Sequence, residues 1–249
     1  MSRILLLGGT TEAAALALAL ADAGRDAVYS YAGAVASPRA QPLPVRTGGF
    51  GGAGGMVRWC RDHRVAAIID ATHPFAAQIS RNACQAAQVL GLPLLALERA
   101  AWQPQPGDHW IRVADMAAAA RALIGDRVFL AIGRGELAAF QGLSQHLLLR
   151  LVDPPETPPL PGAEWVVARG PFRMQDDLAL LRDHRITCVV SKNSGGSGAY
   201  AKIAAARALR LPVVMVDRPA IPRREVAETP EQAMGWIARH VPSDAKRGV

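Results

Sequence analysis

The sequence predicts an α/β fold in which mainly parallel sheets are flanked by helices, with two domains of this kind in one chain. Short apolar runs alternate with helical runs from end to end, which is the pattern of repeated βα units. Half of the 249 residues are apolar, so the chain can bury two cores. Its ten predicted strands exceed what one simple doubly wound sheet carries.

The predicted elements follow one another in regular alternation. Strands are predicted, as short apolar runs, at residues 3–7, 27–31, 66–70, 94–98, 110–113, 128–132, 147–152, 165–168, 187–191 and 213–216. Helices are predicted at residues 11–23, 56–63, 76–90, 116–124, 173–184, 200–209 and 230–241. The proline-rich segment WQPQPGDHW predicts a domain boundary, so we expect a nucleotide-binding domain at 1–101 and a substrate-binding domain at 102–249, whose C-terminal elements could pack on the first.

Charge and cysteine content exclude several classes of function. The net charge is +7, which is often a sign of nucleic-acid binding, but the arginines are dispersed and no basic run is interleaved with aromatic residues. A basic surface also suits a polyanionic small molecule, and charge alone does not choose between the two. The three cysteines are scattered and show no metal-ligand spacing, so we expect reduced thiols in a cytoplasmic protein without a metal. No run of about twenty apolar residues is free of charges, so no membrane span is predicted.

The turn after the first strand resembles part of a dinucleotide-binding fingerprint. Of the pattern G-x-G-x-x-G, only the first position is met, by Gly8. Gly9 permits a tight turn, Thr10 or Thr11 can cap the helix, and Glu12 lies in its first turn. Backbone N–H groups at such a turn favour a phosphate. The alternative is a capped turn that binds nothing.

The segment after the second strand indicates which dinucleotide would bind. NAD sites place an acidic residue there, about 20 residues after the glycines, whereas this chain has Ser30, Tyr31, Gly33 and Arg39. Hydroxyl groups and an arginine would accept the 2′-phosphate of NADP, with Arg39 as the first candidate and Arg46 as the second. A plain polar loop is the alternative interpretation.

Two further segments of the first half are candidates. Six glycines between residues 48 and 55 predict a functional or mobile loop before the helix at 56. In DATHPFA, Asp70, Thr72 and His73 follow a buried strand, and Pro74 is expected to open the next helix. His73 could hold a cofactor amide or transfer a proton, and a helix-capping role is the alternative.

Cationic and glycine-rich strand ends also occur in the second half. Arg134 follows one strand, and Arg169 with Arg173 follows another. The loop that follows the strand at 187–191 combines hydroxyl, amide and ammonium groups, in Lys192, Asn193, Ser194, Gly195 and Gly196. It is similar to an anion cradle but lacks the ending of a Walker A motif. Solvated surface charge would explain any one of these segments alone.

Six motifs taken in order resemble the precorrin-6A reductase family of cobalamin biosynthesis: GGTTE, DATHPFA, IGRGE, RGPF, SKNSGG with AKIAAARAL, and PVVMVDRP. The resemblance implies two Rossmann-like domains with the active site between them. It also implies an NADPH-dependent reduction of one double bond in a carboxylate-rich tetrapyrrole, from precorrin-6A to precorrin-6B. Lys192 and His73 are the titratable candidates for the proton transfer, and the conjugated ring or water is the alternative. The positive charge suits the acetate and propionate groups of such a substrate, so no nucleic acid is expected as a partner, and neighbouring pathway enzymes are candidate partners.

Two other functions remain open from the residues alone. A reductase of a small carbonyl compound would be expected to carry a Tyr-x-x-x-Lys pair, but Tyr200 is followed by Lys202, only two positions later. A non-catalytic NADP-binding sensor would not require a cationic second domain. Binding of NADPH and then of a carboxylated corrinoid would distinguish these functions.

Overall fold

The computed structural model describes residues 2–32 and 40–242, which form two compact units. The first unit comprises Met1–Arg99 and Ala220–Val249, and the second comprises Ala100–Pro219. The elements that follow residue 219 therefore belong to the first unit. Within the described residues, no helix is long and apolar enough to cross a membrane, and no group of His, Cys, Asp and Glu could hold a metal ion.

The strands and helices alternate along the chain. The strands are β1 (Arg3–Leu7), β2 (Ala27–Tyr31), β3 (Val45–Thr47), β4 (Val65–Asp70), β5 (Leu94–Leu97), β6 (His109–Val113), β7 (Arg127–Ala131), β8 (His146–Leu151), β9 (Glu164–Val167), β10 (Cys188–Lys192), β11 (Pro212–Val216) and β12 (Glu225–Ala227). The helices are α1 (Thr11–Asp22), α2 (Gly52–Asp62), α3 (Ala77–Leu90), α4 (Met116–Arg121), α5 (Met174–Asp183), α6 (Ala201–Ala208) and α7 (Pro230–His240), with a 3₁₀ helix at Arg134–Phe140.

The first unit is built on a parallel sheet of order β12-β5-β4-β1-β2-β3. Read from the other edge, with β12 as the sixth strand, this is the order 3-2-1-4-5-6 of dinucleotide-binding folds. The strand order reverses beside β1, so the loops after β1 and β4 flank the crevice where such sheets bind ligands.

Alternation along β1 supplies both cores of the first unit. Ile4 and Leu6 face a core that includes residues of α1 and α7, while Leu5 and Leu7 face a core that includes residues of α2 and α3. All four side chains are almost completely buried. A strand buried on both faces is typical of a parallel sheet covered by helices on each side, and it explains why β1 is apolar at every position after Arg3.

The second unit repeats this architecture with the order β6-β11-β10-β7-β8-β9, again with parallel pairing. Here the order reverses beside β7, so the loops after β7 and β10 flank the corresponding crevice. Phe129, Val189 and Met215 from the sheet pack with Leu181 of α5 and Ile203 of α6. The α/β fold class predicted from the sequence is therefore confirmed.

Several local predictions were wrong. The strands β3 and β12 were not predicted, because each has three residues and forms only against a partner strand. The helix α2 begins at Gly52, four residues before the predicted start, so part of the glycine-rich segment is helical. An added side-chain carbon at Gly55 would lie 1.6 Å from the Phe50 carbonyl oxygen, which explains this glycine by close packing. Pro74 lies in the turn that precedes α3 and does not open the helix.

Candidate functional site

The turn after β1 is fixed by Thr10 at the point where the strand order of the first sheet reverses. The Thr10 hydroxyl donates to the Ala71 carbonyl oxygen at 2.8 Å and accepts from the Ala13 backbone N–H at 3.1 Å. Thr10 therefore caps α1 and also joins the loops that follow β1 and β4. Of the two predicted caps, Thr10 is the N-cap residue and Thr11 is the first residue of α1.

Different constraints favour glycine at positions 8 and 9: lack of space at Gly8 and backbone conformation at Gly9. An added side-chain carbon at Gly8 would lie 2.1 Å from the Tyr29 ring. Gly9 has a φ of +122° and is exposed, and a carbon added there would meet no atom within 4 Å. The Gly9 N–H donates to the Tyr29 hydroxyl at 2.9 Å, and burial raises the pKa of that hydroxyl to about 12. Tyr29 was not predicted as a site residue, because only the register of β1 against β2 brings it here.

Glu12, in the first turn of α1, forms an ion pair with Arg99. Its carboxylate lies 2.9 Å from Arg99 Nη1 and accepts a hydrogen bond from the Thr11 hydroxyl at 3.0 Å. Partial burial would raise the Glu12 pKa, but a backbone hydrogen bond and the Arg99 charge outweigh it, so the pKa is lowered. Glu12 is therefore ionised at neutral pH and anchors Arg99 beside the turn.

Of the site residues predicted at the end of β2, the structure describes Ser30 and Tyr31 but not the two that follow. Gly33 and Arg39 lie outside the described residues. The Ser30 hydroxyl is almost fully buried and accepts from Arg46 Nη1 at 2.7 Å. The Tyr31 hydroxyl accepts from Gln41 Nε2 at 2.6 Å. Arg46 is thus brought beside Ser30 by the pairing of β2 with β3.

Asp70 takes part in a buried charge network that the sequence did not reveal. Asp70 Oδ1 accepts from the Thr72 backbone N–H at 3.2 Å and from the Thr72 hydroxyl at 2.7 Å. Asp70 Oδ2 lies 3.3 Å from Arg224 Nη1, and Arg224 Nη2 lies 3.0 Å from Glu98 Oε2. Arg224 immediately precedes β12, so these contacts connect the C-terminal segment to the ends of β4 and β5.

His73 follows the same strand end and is half-buried. Its Nδ1 accepts from the Phe75 backbone N–H at 3.2 Å. In that arrangement the imidazole proton resides on Nε2, which can then donate to a carbonyl group. The geometry is therefore compatible with either role predicted for His73, namely holding an amide or delivering a proton.

At the reversal point of the second sheet, the loop after β10 is held rigidly. Asn193 Oδ1 accepts from the Trp102 backbone N–H at 2.8 Å, and Asn193 Nδ2 donates to the Trp102 carbonyl at 3.0 Å. The Trp102 indole donates to the Gly196 carbonyl at 2.7 Å. Arg218 donates to the carbonyl groups of Asn193 and Ser194. The Asn193 side chain therefore orders the loop through both ends of its amide.

Gly195 is required by two features of that loop. Its φ is +71°, and an added side-chain carbon would lie 2.1 Å from the Ala100 carbonyl oxygen. Gly196 also has a positive φ, of +72°. The two glycines let the backbone turn sharply beside Ser194, which is buried.

Lys192 and Arg134 are the cationic groups at this edge that the sequence singled out. Lys192 Nζ lies 3.9 Å from Glu136 Oε1, and the Lys192 side chain is 18% exposed. Burial lowers the pKa of Lys192, and the Glu136 charge only partly opposes this change. Arg134 is exposed, donates to the Asp153 carbonyl at 3.3 Å, and lines a cavity of about 550 Å³ whose wall includes Pro154–Pro159.

A family model, curated relatives and a solved structure all match this chain, and all three belong to the family that its motifs resemble. Residues 3–238 match the family model described as precorrin-6x reductase CbiJ/CobK. The chain is 56% identical to a precorrin-6A reductase of Rhodobacter capsulatus over 96% of this chain and 97% of that protein, and 51% identical to one of Rhodococcus erythropolis with the same coverage.

The solved structures include a match over the full length of both chains. A structure titled CobK precorrin-6A reductase has a TM-score of 0.91 and 55% sequence identity, and the match covers 100% of this chain and of that one. At this similarity, sequence and fold agree over the whole chain and not only at the turn after β1. The chain belongs to the precorrin-6x reductase family.

Proposed function

We propose that this protein is a precorrin-6A reductase, which uses NADPH to reduce one double bond of the precorrin-6A macrocycle and gives precorrin-6B. The observation that carries this proposal is the 56% identity, over nearly the full length of both chains, to a relative with that name. The two reversal points, each with glycine-rich turns, supply the kind of crevices that the reaction needs.

The comparisons favour a substrate without cobalt. Relatives named precorrin-6A reductase are 44% to 56% identical to this chain. A relative named cobalt-precorrin-6A reductase, from Priestia megaterium, is 32% identical over 93% of this chain. We therefore place the reaction before cobalt insertion.

The first unit would hold the cofactor. The backbone of the turn at Gly8, Gly9 and Thr10, together with the backbone of Thr11 and Glu12 at the start of α1, would bind the pyrophosphate, because the exposed Gly9 has open space beside it. His73 Nε2–H would donate to the carboxamide, and Thr72, fixed by Asp70, would shape the same edge. When bound, the nicotinamide supplies the hydride.

The second unit would hold the tetrapyrrole. Arg134 would offer a planar pair of donors and Lys192 a compact charge to the acetate and propionate groups of the substrate. The loop of Asn193, Ser194, Gly195 and Gly196 would present backbone groups beside them. Lys192 would deliver the proton that completes the reduction, since its lowered pKa eases proton release.

Anaerobic incubation with NADPH and purified precorrin-6A tests this proposal. The expected result is a product heavier by two hydrogens, with a changed absorption spectrum and one NADPH oxidised for each product formed. The controls omit NADPH or replace the substrate with cobalt-precorrin-6A. An unchanged substrate mass with active, folded protein would contradict the assignment, and faster turnover of the cobalt form would contradict the chosen substrate.

A further inference from the structure

We propose that Arg46, together with Ser30, recognises the 2′-phosphate of the cofactor and sets the preference for NADPH over NADH. This inference rests on the proposed function, because it assigns a part of the same cofactor site. It gives the role to a residue on β3 and not to Arg39, which was the first candidate from the sequence.

The pairing of β2 with β3 puts the two groups together. Ser30 and Arg46 are direct partners in the parallel register, one residue before the end of β2. Arg46 Nη1 donates to the Ser30 hydroxyl at 2.7 Å, and Arg46 Nη2 donates to the Gly49 carbonyl at 3.1 Å. In folds with this strand order, the groups at the end of the second strand distinguish the ribose 2′-hydroxyl from a 2′-phosphate.

Arg46 differs from several other sheltered arginines in having no acidic counter-charge among the described residues. Among the residues that the structure describes, no carboxylate lies within ion-pair distance of Arg46, and its pKa is lowered by burial. Its guanidinium carbon lies 3.8 Å from the centre of the Phe50 ring, which holds the group in place. Four other sheltered arginines do face acids: Arg99 with Glu12, Arg150 with Asp177, Arg207 with Asp108 and Arg224 with Asp70.

A partly buried cation that has no carboxylate partner favours an anionic ligand. A guanidinium has five N–H groups, and two of those on Arg46 bond to described residues, so three others can donate. A phosphate accepts such donors in pairs. An acidic residue at position 30 would instead neutralise Arg46 and repel the phosphate, so Ser30 completes the site by being uncharged.

Binding measurements on the full-length protein test the assignment. Dissociation constants are measured by calorimetry for NADPH, NADH, 2′,5′-ADP and 5′-AMP, with the wild type and with Arg46→Ala. We expect Arg46→Ala to weaken NADPH and 2′,5′-ADP by about ten- to hundredfold, with NADH and 5′-AMP unchanged. Arg61→Ala, an exposed arginine in the last turn of α2, is the matched control and should leave all four values unchanged.

Two further variants separate the possible outcomes. Ser30→Asp should lower the ratio of NADPH to NADH affinity as much as Arg46→Ala does, and it tests the site without deleting the arginine. Arg39→Ala should leave the ratio unchanged. If Arg46→Ala and Ser30→Asp keep the wild-type ratio while Arg39→Ala lowers it, the inference is wrong and the cofactor assignment stands. A wild type without preference for NADPH would instead contradict the cofactor assignment itself.

Discussion

Lys192 combines two properties that suit a proton donor. Because it is the last residue of β10, its ammonium group lies at the edge of the sheet where ligands bind, yet its side chain is largely buried. Burial favours the neutral amine, and Glu136 opposes this effect from 3.9 Å. The pKa of Lys192 is therefore below the ordinary lysine value, and the ammonium form gives up its proton more easily.

Lys192→Arg and Lys192→Ala are expected to separate charge from proton transfer. Both should lower kcat by about 10²-fold or more, because neither side chain can donate a proton. Lys192→Arg should retain the substrate KM, whereas Lys192→Ala should raise it. In the wild type, kcat should fall as the pH rises through the lowered Lys192 pKa, and both variants should lose this limb of the pH profile. A wild-type profile in either variant would assign the proton to another group.

The loop between β10 and α6 depends on the absence of a side chain at Gly195. Gly195→Ala would push a carbon into the Ala100 carbonyl at a positive φ, so we expect a loss of unfolding free energy of about 2 kcal/mol or more. Gly198→Ala in the same loop meets no atom within 4 Å and should change stability by less than about 1 kcal/mol. Urea unfolding of both variants measures the difference, and equal losses would contradict this explanation.

The strand β12 is joined to the first sheet by Arg224 as well as by backbone pairing with β5. Arg224→Ala would leave the Asp70 carboxylate, whose side chain is 1% exposed, without its counter-charge. We expect a loss of unfolding free energy of about 3–5 kcal/mol, as for other broken buried ion pairs. Arg223→Ala, at the exposed neighbouring position, is the control. Adding Asp70→Asn to Arg224→Ala should restore part of the loss, and no recovery would indicate another cause.

The elements that sequence could predict are those with their own apolar pattern. The ten predicted strands all exist, with bounds within one residue of those observed, because each contains a short apolar run that can be recognised in the sequence. The strands β3 and β12 could not be predicted, since three residues carry no period and their partners are distant in sequence. The same limit applies to the site. GGTTE identified the turn, but Tyr29 reaches Gly9 only through the register of β1 against β2. Arg46 reaches Ser30 only through the pairing of β2 with β3, and Arg224 reaches Asp70 only through the return of the chain to the first unit.

At the scale of the whole molecule, the first unit is discontinuous and the second is continuous. The first unit needs residues 220–242 to complete its sheet and to cover one face, where Trp236 and Ile237 of α7 are buried in the core with Leu16 and Leu20. The second unit has its own sheet and core within Ala100–Pro219. The stability of the first unit therefore depends on the C-terminal segment, and that of the second unit does not.

A chain that ends at residue 219 is expected to lose the first unit and keep the second. Removal of β12 and α7 exposes apolar surface of α1 and β5, which costs several kcal/mol, about the size of a domain's net stability. Hydrogen exchange should show protected amides in β7 and β10 and unprotected ones in β1 and β4. The full-length chain, protected in all four strands, is the control. Retained protection of β1 and β4 would show that the segment is dispensable.

The return of the chain to its first unit also orders events during synthesis on the ribosome. The strands β1 to β5 emerge before the inserted unit but cannot finish their sheet, because β12 and α7 follow that unit along the chain. The inserted unit emerges whole before them and can close its core while translation continues. The sheet of the first unit is thus completed after the core of the second, and until then β5 lacks its partner strand β12.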